Sequence, residues 1–219
     1  MYLPSAFAET DLVKLDALID AHPFVTLISV DAEGAPFVSH LPVLCSRNGD
    51  AVLIEGHWAR PNPQARHDSE VMMIVHGPGA YVSPGVYPDK EAAARVPTWN
   101  YAVAHLHGRL DVYEDESALG DLVDRLSQRF EATVGQDWRF EMSRDDHRDQ
   151  LRGIVGFRFV PALIALKFKL NQNHPAANRA AVRAAFERSG DPGAAQLAAW
   201  MAEREPGQRE PGNLGDATE

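Results

Sequence analysis

The sequence predicts a mainly β protein of the α+β class, in which short antiparallel strands close into a barrel. Apolar, β-branched segments follow one another at short intervals, as in "HPFVTLISV", "FVSHLPVLC" and "AVLIEGH", and turn residues separate them. The Asn48-Gly49 pair between the last two segments favours a tight hairpin turn, because both residues tolerate positive φ. Few helices interrupt the strands, whereas a parallel α/β sheet needs a helix after nearly every strand.

The N-terminal part of the chain predicts one helix and then four strands. The helix covers residues 10–21 with Thr10 as its cap, and Pro23 ends the helical periodicity. After the three segments quoted above, a short helix or turn at 59–68 leads to a fourth, largely apolar strand, "EVMMIVHG". The next stretch, "GPGAYVSPG", is expected to form a separate short extended piece.

The C-terminal part predicts three more strands and a change of composition. A long strand at 99–113 precedes an amphipathic helix at 116–133, and "GIVGFRFVP" and "ALIALKFKL" form a closing pair of strands. The chain then becomes rich in alanine. We therefore expect a barrel domain at 1–172, alanine-rich helices at 173–203 packed on the same domain, and a flexible polar tail at 204–219.

Charge and composition argue against several classes of protein. The 219 residues include 21 basic and 31 acidic side chains, a net charge of −10, so the average field repels nucleic-acid phosphates and disfavours direct DNA binding. A single cysteine, Cys45, allows no internal disulfide. No segment has the length of a membrane span or the layout of a signal peptide, and we expect a cytoplasmic protein.

The stretch "EGHWARPNPQAR", residues 55–66, is the first candidate site. Arg60 and Asn62 stand where a strand ends and a short helix can begin. Backbone N–H groups at a helix start, together with a neighbouring guanidinium, suit a phosphate group. The alternative is a polar turn in which Arg60 pairs with a surface carboxylate.

The stretch "VPTWNYAVAHLHG" is the second candidate. Its aromatic loop, 97–101, suits stacking and hydrogen bonding to a flat heterocycle, although core packing would explain the same residues. His105 and His107 point to one side of the following strand, where a metal ion or a subunit interface would account for them. Because no third ligand stands nearby in the sequence, we predict no metal site.

The stretch "LKFKLNQN" is the third candidate. Lys167 and Lys169 share one strand face, and the amides of Asn171, Gln172 and Asn173 follow. This arrangement suits an anionic or polar small ligand, and the alternative is a solvated edge strand whose lysines resist aggregation. The sequence contains no dinucleotide-binding glycine motif, phosphate-binding loop, nucleophile elbow or HExxH motif, so the catalytic residues stay unassigned.

Seven motifs, taken in order, resemble the PaiB-like family, whose members are described as FMN-binding negative transcriptional regulators. The motifs are "MYLPSAF", "HPFVTL", "SHLPVL", "GHWARPNP", "AYVSPGVYPDK", "VPTWNYAVAHLHG" and "KFKLNQN", and they span residues 1–173. The resemblance implies the antiparallel split β-barrel of FMN-binding proteins, with peripheral helices and a helical C-terminus. It also implies a homodimer that holds FMN at the subunit interface.

The resemblance also implies which residues contact FMN. The residues beneath the ring would be Ser39, His40, Leu41 and Pro42, and those at the phosphate end would be His57, Ala59, Arg60 and Asn62. The residues at the ring edge would be Thr98, Trp99, Asn100 and Tyr101. The residues that close the site would be Lys169 and Gln172. The chain departs from the family pattern in two places. Gly85-Val86 stands where a tryptophan is usual, and Asn171 stands where a serine is usual. Both departures lie beside the expected cleft and bear on ligand identity and affinity.

Two functions follow from the resemblance. One is an FMN-dependent oxidoreductase or flavin reductase that uses a small-molecule reductant or acceptor. The other is a flavin-sensing negative transcriptional regulator, which would act without direct DNA contact because the sequence shows no convincing helix-turn-helix. The alternative is a split barrel that binds haem, a deazaflavin or another flat cofactor, with His57, His105 or His107 as an axial ligand.

Overall fold

A computed structural model describes residues 1–67 and 69–204, which are mainly strand with several helices. The strands are β1 (Ala8–Glu9), β2 (Phe24–Val30), β3 (Pro36–Pro42), β4 (Leu44–Asn48), β5 (Ala51–Ala59), β6 (Val71–Val82), β7 (Thr98–Gly108), β8 (Leu110–Tyr113), β9 (Ile154–Phe159) and β10 (Leu163–Lys169). The helices are α1 (Leu12–Ala21), α2 (Glu116–Val134), α3 (Asp145–Gln150), α4 (Ala176–Arg188) and α5 (Pro192–Glu203). Within these described ranges, no helix combines the length and apolarity needed to span a bilayer.

The strands form two sheets. The first sheet has the order β1-β10-β7-β6-β2-β3, and the second has the order β4-β5-β9-β8. Strand β2 pairs antiparallel with both β3 and β6, and β5 does so with both β4 and β9. Antiparallel pairing of short, sequential strands is what the turn signals predict, and the mainly β, α+β class is confirmed.

The prediction of one long strand at 99–113 is wrong, because this stretch forms two strands in different sheets. Strand β7 ends at Gly108, and β8 begins at Leu110. A Cβ atom on Gly108 would lie 3.1 Å from the ring of Phe159 and 3.2 Å from the backbone nitrogen of Ala162, so this crowded corner favours glycine. The alternation of apolar residues continues through the corner, which explains why the pattern predicts a single strand.

Three other bounds differ from the sequence prediction. The segment "FVSHLPVLC" divides at Val43 into β3 and β4, which belong to different sheets. The segments "EVMMIVHG" and "GPGAYV" form one continuous strand, β6. Asp11 rather than Thr10 caps α1, since the Asp11 carboxylate accepts a hydrogen bond from the Val13 N–H at 2.9 Å.

The described chain falls into two compact units, each with its own core. Unit 1 comprises Met1–Tyr2, Glu9–Gly77 and Val103–Leu166, and unit 2 comprises Leu3–Ala8, Pro78–Ala102 and the described residues from Lys167 onward. The largest buried side chains of unit 1 include Leu15, Leu18, Leu27, Ile54, Trp58, Met73, Leu106, Phe157 and Phe159. Strand β5 passes close to the Phe157 ring at Gly56, where a Cβ atom would come within 2.7 Å of it.

The alanine-rich segment forms helices α4 and α5 in unit 2. Their buried side chains include Val182, Phe186, Leu197, Trp200 and Met201, and the unit also buries Val82, Tyr87, Phe168 and Leu170. The predicted domain boundaries after residues 172 and 203 stay a prediction. Residues 205–219 of the predicted tail lie outside the described residues.

Candidate functional site

Strand β3 carries the first predicted group, residues 39–42, in unit 1. Alternation along the strand buries the side chains of Ser39 and Leu41 and exposes that of His40. The Ser39 hydroxyl accepts a hydrogen bond from the Asn62 amide at 3.0 Å. The residues predicted to lie beneath the flavin ring therefore meet those predicted for the phosphate end at Ser39 and Asn62. The side chain of His40 lies on the opposite face of the strand.

The turn after β5 fixes the position of Asn62. The Asn62 side-chain oxygen accepts a hydrogen bond from the Gln64 N–H at 3.0 Å and caps the 3₁₀ turn Pro63–Arg66. Gln64 is buried, accepts from the Trp58 indole at 3.1 Å and donates to the Leu27 carbonyl at 3.1 Å. Because these bonds join the turn to the core, the Asn62 amide is held in one orientation.

The Arg60 guanidinium bonds to three groups of unit 1. It donates to the carbonyl of Arg152 at 2.5 Å, to the carbonyl of Ile154 at 3.1 Å and to the carboxylate of Glu114 at 2.5 Å. The ion pair with Glu114 is the arrangement expected of a polar turn. The phosphate role of Arg60 stays a prediction, and a phosphate would have to compete with Glu114.

His57 lines an apolar pocket of unit 1. The cavity measures about 230 Å³, and its walls include Trp138, Phe140 and His147. The ring centroids of Trp138 and Phe140 lie 5.4 and 5.5 Å, respectively, from that of His147. Burial lowers the pKa of His57 and favours its neutral form, which offers a phosphate a hydrogen bond but no charge. Ala59 ends β5 with an exposed side chain.

The exposed face of β2, β3 and β6 in unit 1 carries polar side chains that lie close to one another. The Thr26 hydroxyl lies 3.1 Å from Nδ1 of His40 and 3.3 Å from Nε2 of His76. On β7, burial and the positive charges of the N-terminus, His107 and His76 lower the pKa of His105. Across residues 1–67 and 69–204, no three His, Cys, Asp or Glu side chains gather as a set of metal ligands.

Thr98, Trp99 and Lys169 form the second group of predicted residues, in unit 2. The Lys169 ammonium donates to the Thr98 hydroxyl and, at 2.6 Å, to the Trp99 carbonyl. The Trp99 indole is 56% exposed and makes an edge contact with the Tyr81 ring, with centroids 6.1 Å apart. The start of β7 and the end of β10 therefore bring together an exposed aromatic ring, a hydroxyl and an ammonium group.

The other predicted residues of unit 2 face inward or bond to the backbone. Asn100 is fully buried, and its amide lies 3.8 Å from the Met201 sulfur. The Tyr101 ring lies 5.2 Å from the ammonium of Lys167, which is itself buried, so the alternative of a solvated edge strand does not describe Lys167. The Gln172 side chain bonds at both ends to backbone groups within four residues of it.

Sequence reasoning missed two residues that lie near Lys169. Arg95 and His174 line a cavity together with Lys169. Arg95 lies in a segment without periodicity, and His174 follows directly after the last recognised motif. The available signal was the density of side-chain nitrogen in "LNQNH", just before a helix begins.

The first 161 residues also match a known protein family. Residues 1–161 match the family described as "Putative FMN-binding domain". The chain belongs to this FMN-binding family. The match confirms the PaiB-like assignment and the FMN cofactor that the sequence predicts.

This member of the FMN-binding family is also similar to individual proteins. It is 28% identical over 207 residues to the protease synthase and sporulation protein PAI 2 of Bacillus subtilis (strain 168), covering 93% of this chain and 98% of that protein. The flavocytochrome Anf3 of Azotobacter vinelandii has a TM-score of 0.55 and 17% identity, with 74% of this chain and 69% of that chain covered.

A second solved structure, the FAD and heme binding protein of Mycobacterium smegmatis, has a TM-score of 0.55 and 19% identity, with 79% of this chain and 78% of that chain covered. These likenesses concern the fold. The fold class predicted from the sequence is confirmed as an antiparallel split β-barrel with peripheral helices and a helical C-terminus.

Proposed function

We propose that this FMN-binding protein is a flavin-dependent oxidoreductase that works as a homodimer and exchanges electrons with a small-molecule reductant or acceptor. Bound FMN supplies the redox chemistry, so the protein needs no nucleophile of its own. The side chains bind the cofactor, fix its orientation and set the polarity around its ring. The observation that carries the proposal is the Lys169 ammonium held by the Thr98 hydroxyl and the Trp99 carbonyl.

The groups that Thr98, Trp99 and Lys169 present at the ends of β7 and β10 fit the edge of a flavin ring. The exposed Trp99 indole offers a stacking surface, and the Thr98 hydroxyl and Lys169 ammonium offer hydrogen-bond donors. No carboxylate of the described residues pairs with Lys169, so its charge can stabilise the negative charge that a flavin ring gains on reduction. Asn100, Tyr101 and Gln172 support these groups from within the unit.

Residues of unit 1 are proposed for the floor and the phosphate end of FMN. They are Ser39, His40, Leu41 and Pro42 beneath the ring and His57, Ala59, Arg60 and Asn62 toward the phosphate. The hydrogen bond between Ser39 and Asn62 supports this assignment, because it holds the two groups in contact. Binding of the phosphate by Arg60 requires that the guanidinium exchange Glu114 for the ligand.

Exposed apolar side chains among the polar ones on the face of β2 and β3 support the homodimer. In unit 1, Phe24, Val30 and Val38 are 63%, 43% and 47% exposed on neighbouring strands β2 and β3. Exposed apolar side chains on one face are typical of interaction surfaces that also carry polar groups, and a second copy of the chain is the proposed occupant. We place this dimer in the cytoplasm, where a free thiol such as that of Cys45 persists.

The visible absorption spectrum of freshly purified protein tests the proposal, together with identification of the compound released on denaturation. We expect a flavin spectrum, released FMN, bleaching by NADH or NADPH without oxygen, and recovery when oxygen is admitted. A Soret band would instead favour the haem alternative. A colourless protein that takes up no added FMN, or bound FMN that no reductant bleaches, would refute the redox function.

Negative regulation of transcription is the second candidate, because members of the PaiB-like family are described as negative transcriptional regulators and the Bacillus subtilis relative is called a sporulation protein. On helix α2, Asp121 pairs with Arg125, and Asp124 accepts a hydrogen bond from Gln128. With a net charge of −10, such an acidic helix surface is poorly suited to DNA phosphates. We therefore propose an indirect effect through the flavin, and binding to promoter DNA at moderate salt would contradict it.

A further inference from the structure

Unit 2 contains a polar cavity that the proposed flavin contacts do not explain. The cavity measures about 390 Å³, and its walls include Arg95, Lys169, Asn171, Asn173 and His174. Arg95, Asn173 and His174 belong to none of the groups assigned to FMN. All five side chains carry nitrogen, and none of the described residues that line the cavity carries a carboxylate.

Positive charge in this cavity is only partly neutralised. Arg95 pairs with Asp89, whose carboxylate also accepts a hydrogen bond from Asn178 at 2.8 Å. Lys169 bonds only to a hydroxyl and a carbonyl, and none of the carboxylates in residues 1–67 and 69–204 pairs with it. Burial and the nearby charge of Lys167 lower the pKa of Lys169, so an anion beside it would relieve both effects.

His174 adds a nitrogen atom whose hydrogen-bonding capacity is not met. Nδ1 of His174 is buried, and no hydrogen-bond partner exists for it in the described part of the chain. The ring stacks on Tyr87 with centroids 4.9 Å apart and planes at 10°, and the Tyr87 hydroxyl accepts from the Asn171 amide at 2.8 Å. The ring is therefore held in place, and a ligand could supply the missing partner.

Two strained backbone positions lie in the same wall. Ala94 has a φ of 45° and Asn171 a φ of 62°, and among the described residues only these two have positive φ without being glycine. Both line the cavity. Left-handed conformations of this kind are unfavourable for residues with a Cβ atom and concentrate at ligand sites.

A helix start adds partial positive charge nearby. Helix α4 begins at Ala176, two residues after His174, and no side chain caps its N-terminus. Unpaired backbone N–H groups and the helix dipole favour anions at such a position. This feature strengthens the case made by Lys169 and His174.

We propose that this cavity, the oxyanion pocket (Arg95, Lys169, Asn171, Asn173 and His174), binds the phosphate group of a small molecule. Lys169 supplies the charge, and His174 and the asparagine amides supply directional hydrogen bonds. The group could belong to FMN itself or to a second phosphorylated small molecule. The inference does not rest on the proposed redox function, because phosphate binding is measurable without any electron transfer.

Titration with inorganic phosphate, followed by calorimetry and by thermal unfolding, is the test. Wild-type protein is expected to bind phosphate saturably. Lys169→Met should weaken this binding about tenfold or more, because a charge-assisted hydrogen bond is lost. Lys90→Met is the matched control, since it removes an exposed lysine of the same unit that does not line the cavity. His174→Phe preserves a ring against Tyr87 and removes both ring nitrogens, and it should also weaken phosphate binding.

The outcomes separate specific binding from simple charge. Loss of phosphate binding in Lys169→Met and His174→Phe, with Lys90→Met unchanged, supports the oxyanion pocket. No saturable binding by the wild type, or equal weakening in Lys169→Met and Lys90→Met, overturns it. If Lys169→Met does not fold, His174→Phe decides the question in the same way.

Competition with flavins identifies the source of the phosphate. If FMN displaces phosphate, and His174→Phe loses the preference for FMN over riboflavin, the occupant is the phosphate of FMN, and the assignments of that phosphate to Arg60 and of Lys169 to the ring edge are wrong. If saturating FMN leaves phosphate binding unchanged, the occupant is a second phosphorylated molecule, and Lys169 binds that molecule rather than the flavin ring. Both results support the pocket, whereas bound FMN that no reductant bleaches would refute only the redox function.

Discussion

Arg60 and Lys169 are both candidate anion-binding cations, but they have different partners. Arg60 bonds to a carboxylate and two carbonyls, whereas Lys169 bonds to a hydroxyl and a carbonyl. A cation that already has a carboxylate must lose that partner before it binds a ligand, and this exchange cancels much of the gain. The partners of each side chain, rather than its type, therefore decide how readily it binds an anion.

Substitution of Arg60 tests its assignment to the phosphate of FMN. Arg60→Ala is expected to weaken FMN binding by about 1.5–3 kcal/mol and riboflavin binding much less, because only FMN offers the phosphate. Fluorescence titration with both flavins measures the difference. Glu114→Gln is the control, since it removes the carboxylate charge with which a phosphate must compete for Arg60, and it should preserve or strengthen FMN binding. Equal losses for the two flavins in Arg60→Ala would contradict the assignment.

Buried imidazoles predict loss of stability in acid. Burial lowers the pKa of His57 below its ordinary value of 6.5, and it does the same for the less buried His105 and His174. As the pH falls, these histidines become protonated in the unfolded chain before they do so in the folded chain. Their contribution to the free energy of unfolding is therefore fully present above about pH 6.5 and is lost as the pH falls toward the folded-state pKa.

Urea unfolding at about pH 7.5 and about pH 5.5 measures this acid effect. The free energy of unfolding should be lower at the acidic pH. His57→Gln should reduce the difference, because it removes the most buried of these groups. An identical pH dependence in wild type and variant would show that His57 is not responsible.

Helix α2 is fastened to strand β5 through one nearly buried carboxylate. Glu55 on β5 accepts two hydrogen bonds from Arg125 on α2, at 2.8 and 3.2 Å, and lies 3.7 Å from Arg158 on β9. The guanidinium of Arg158 also lies 4.5 Å from the centre of the Tyr113 ring. Strand β5 leads directly into the turn that carries Arg60 and Asn62. The contact between Glu55 and Arg125 therefore supports the strand that positions these two residues proposed for the phosphate end of FMN.

Removal of Arg125 should therefore destabilise the fold. Arg125→Met is expected to lower the free energy of unfolding by about 1.5–3 kcal/mol, because the Glu55 carboxylate loses two charge-assisted hydrogen bonds and keeps only Arg158, 3.7 Å away. Urea denaturation measures the loss. Arg152→Met, which removes an exposed surface pair with Asp149, should cost about 0–1 kcal/mol. The interpretation fails if the two variants lose equal stability, or if adding Glu55→Gln to Arg125→Met recovers nothing.

Helices were easier to predict than the ends of strands. Helix α2 lies within one residue of the predicted span 116–133, because its apolar stripe and its Asp115 cap are both local. Strands β7 and β8 follow one alternating pattern, yet they belong to different sheets. The break at Gly108 depends on Phe159 and Ala162, which lie far away in the chain, so no local pattern reveals it.

Assembly of the whole molecule is tested at the exposed face of β2 and β3. Light scattering of the wild type is expected to give twice the mass of one chain. Val38→Lys should shift the protein toward monomer, because a charge would be buried between two copies. Val134→Lys is the matched control, since Val134 is 67% exposed and belongs to α2 rather than to β2 or β3. A monomeric wild type, or a dimer unaffected by Val38→Lys, would contradict the proposed homodimer.

The sequence by itself determined helices α1 and α2, the C-terminal helical segment, most strands, the family and the cofactor, because periodicity, turn residues and ordered motifs are local properties of the chain. The tertiary structure decided which side chains meet. It paired Arg60 with Glu114, buried Asn100 against Met201, and placed Arg95, Lys169 and His174 around one cavity. These contacts join residues distant in sequence, and their energies depend on burial and on partners that only the folded chain provides.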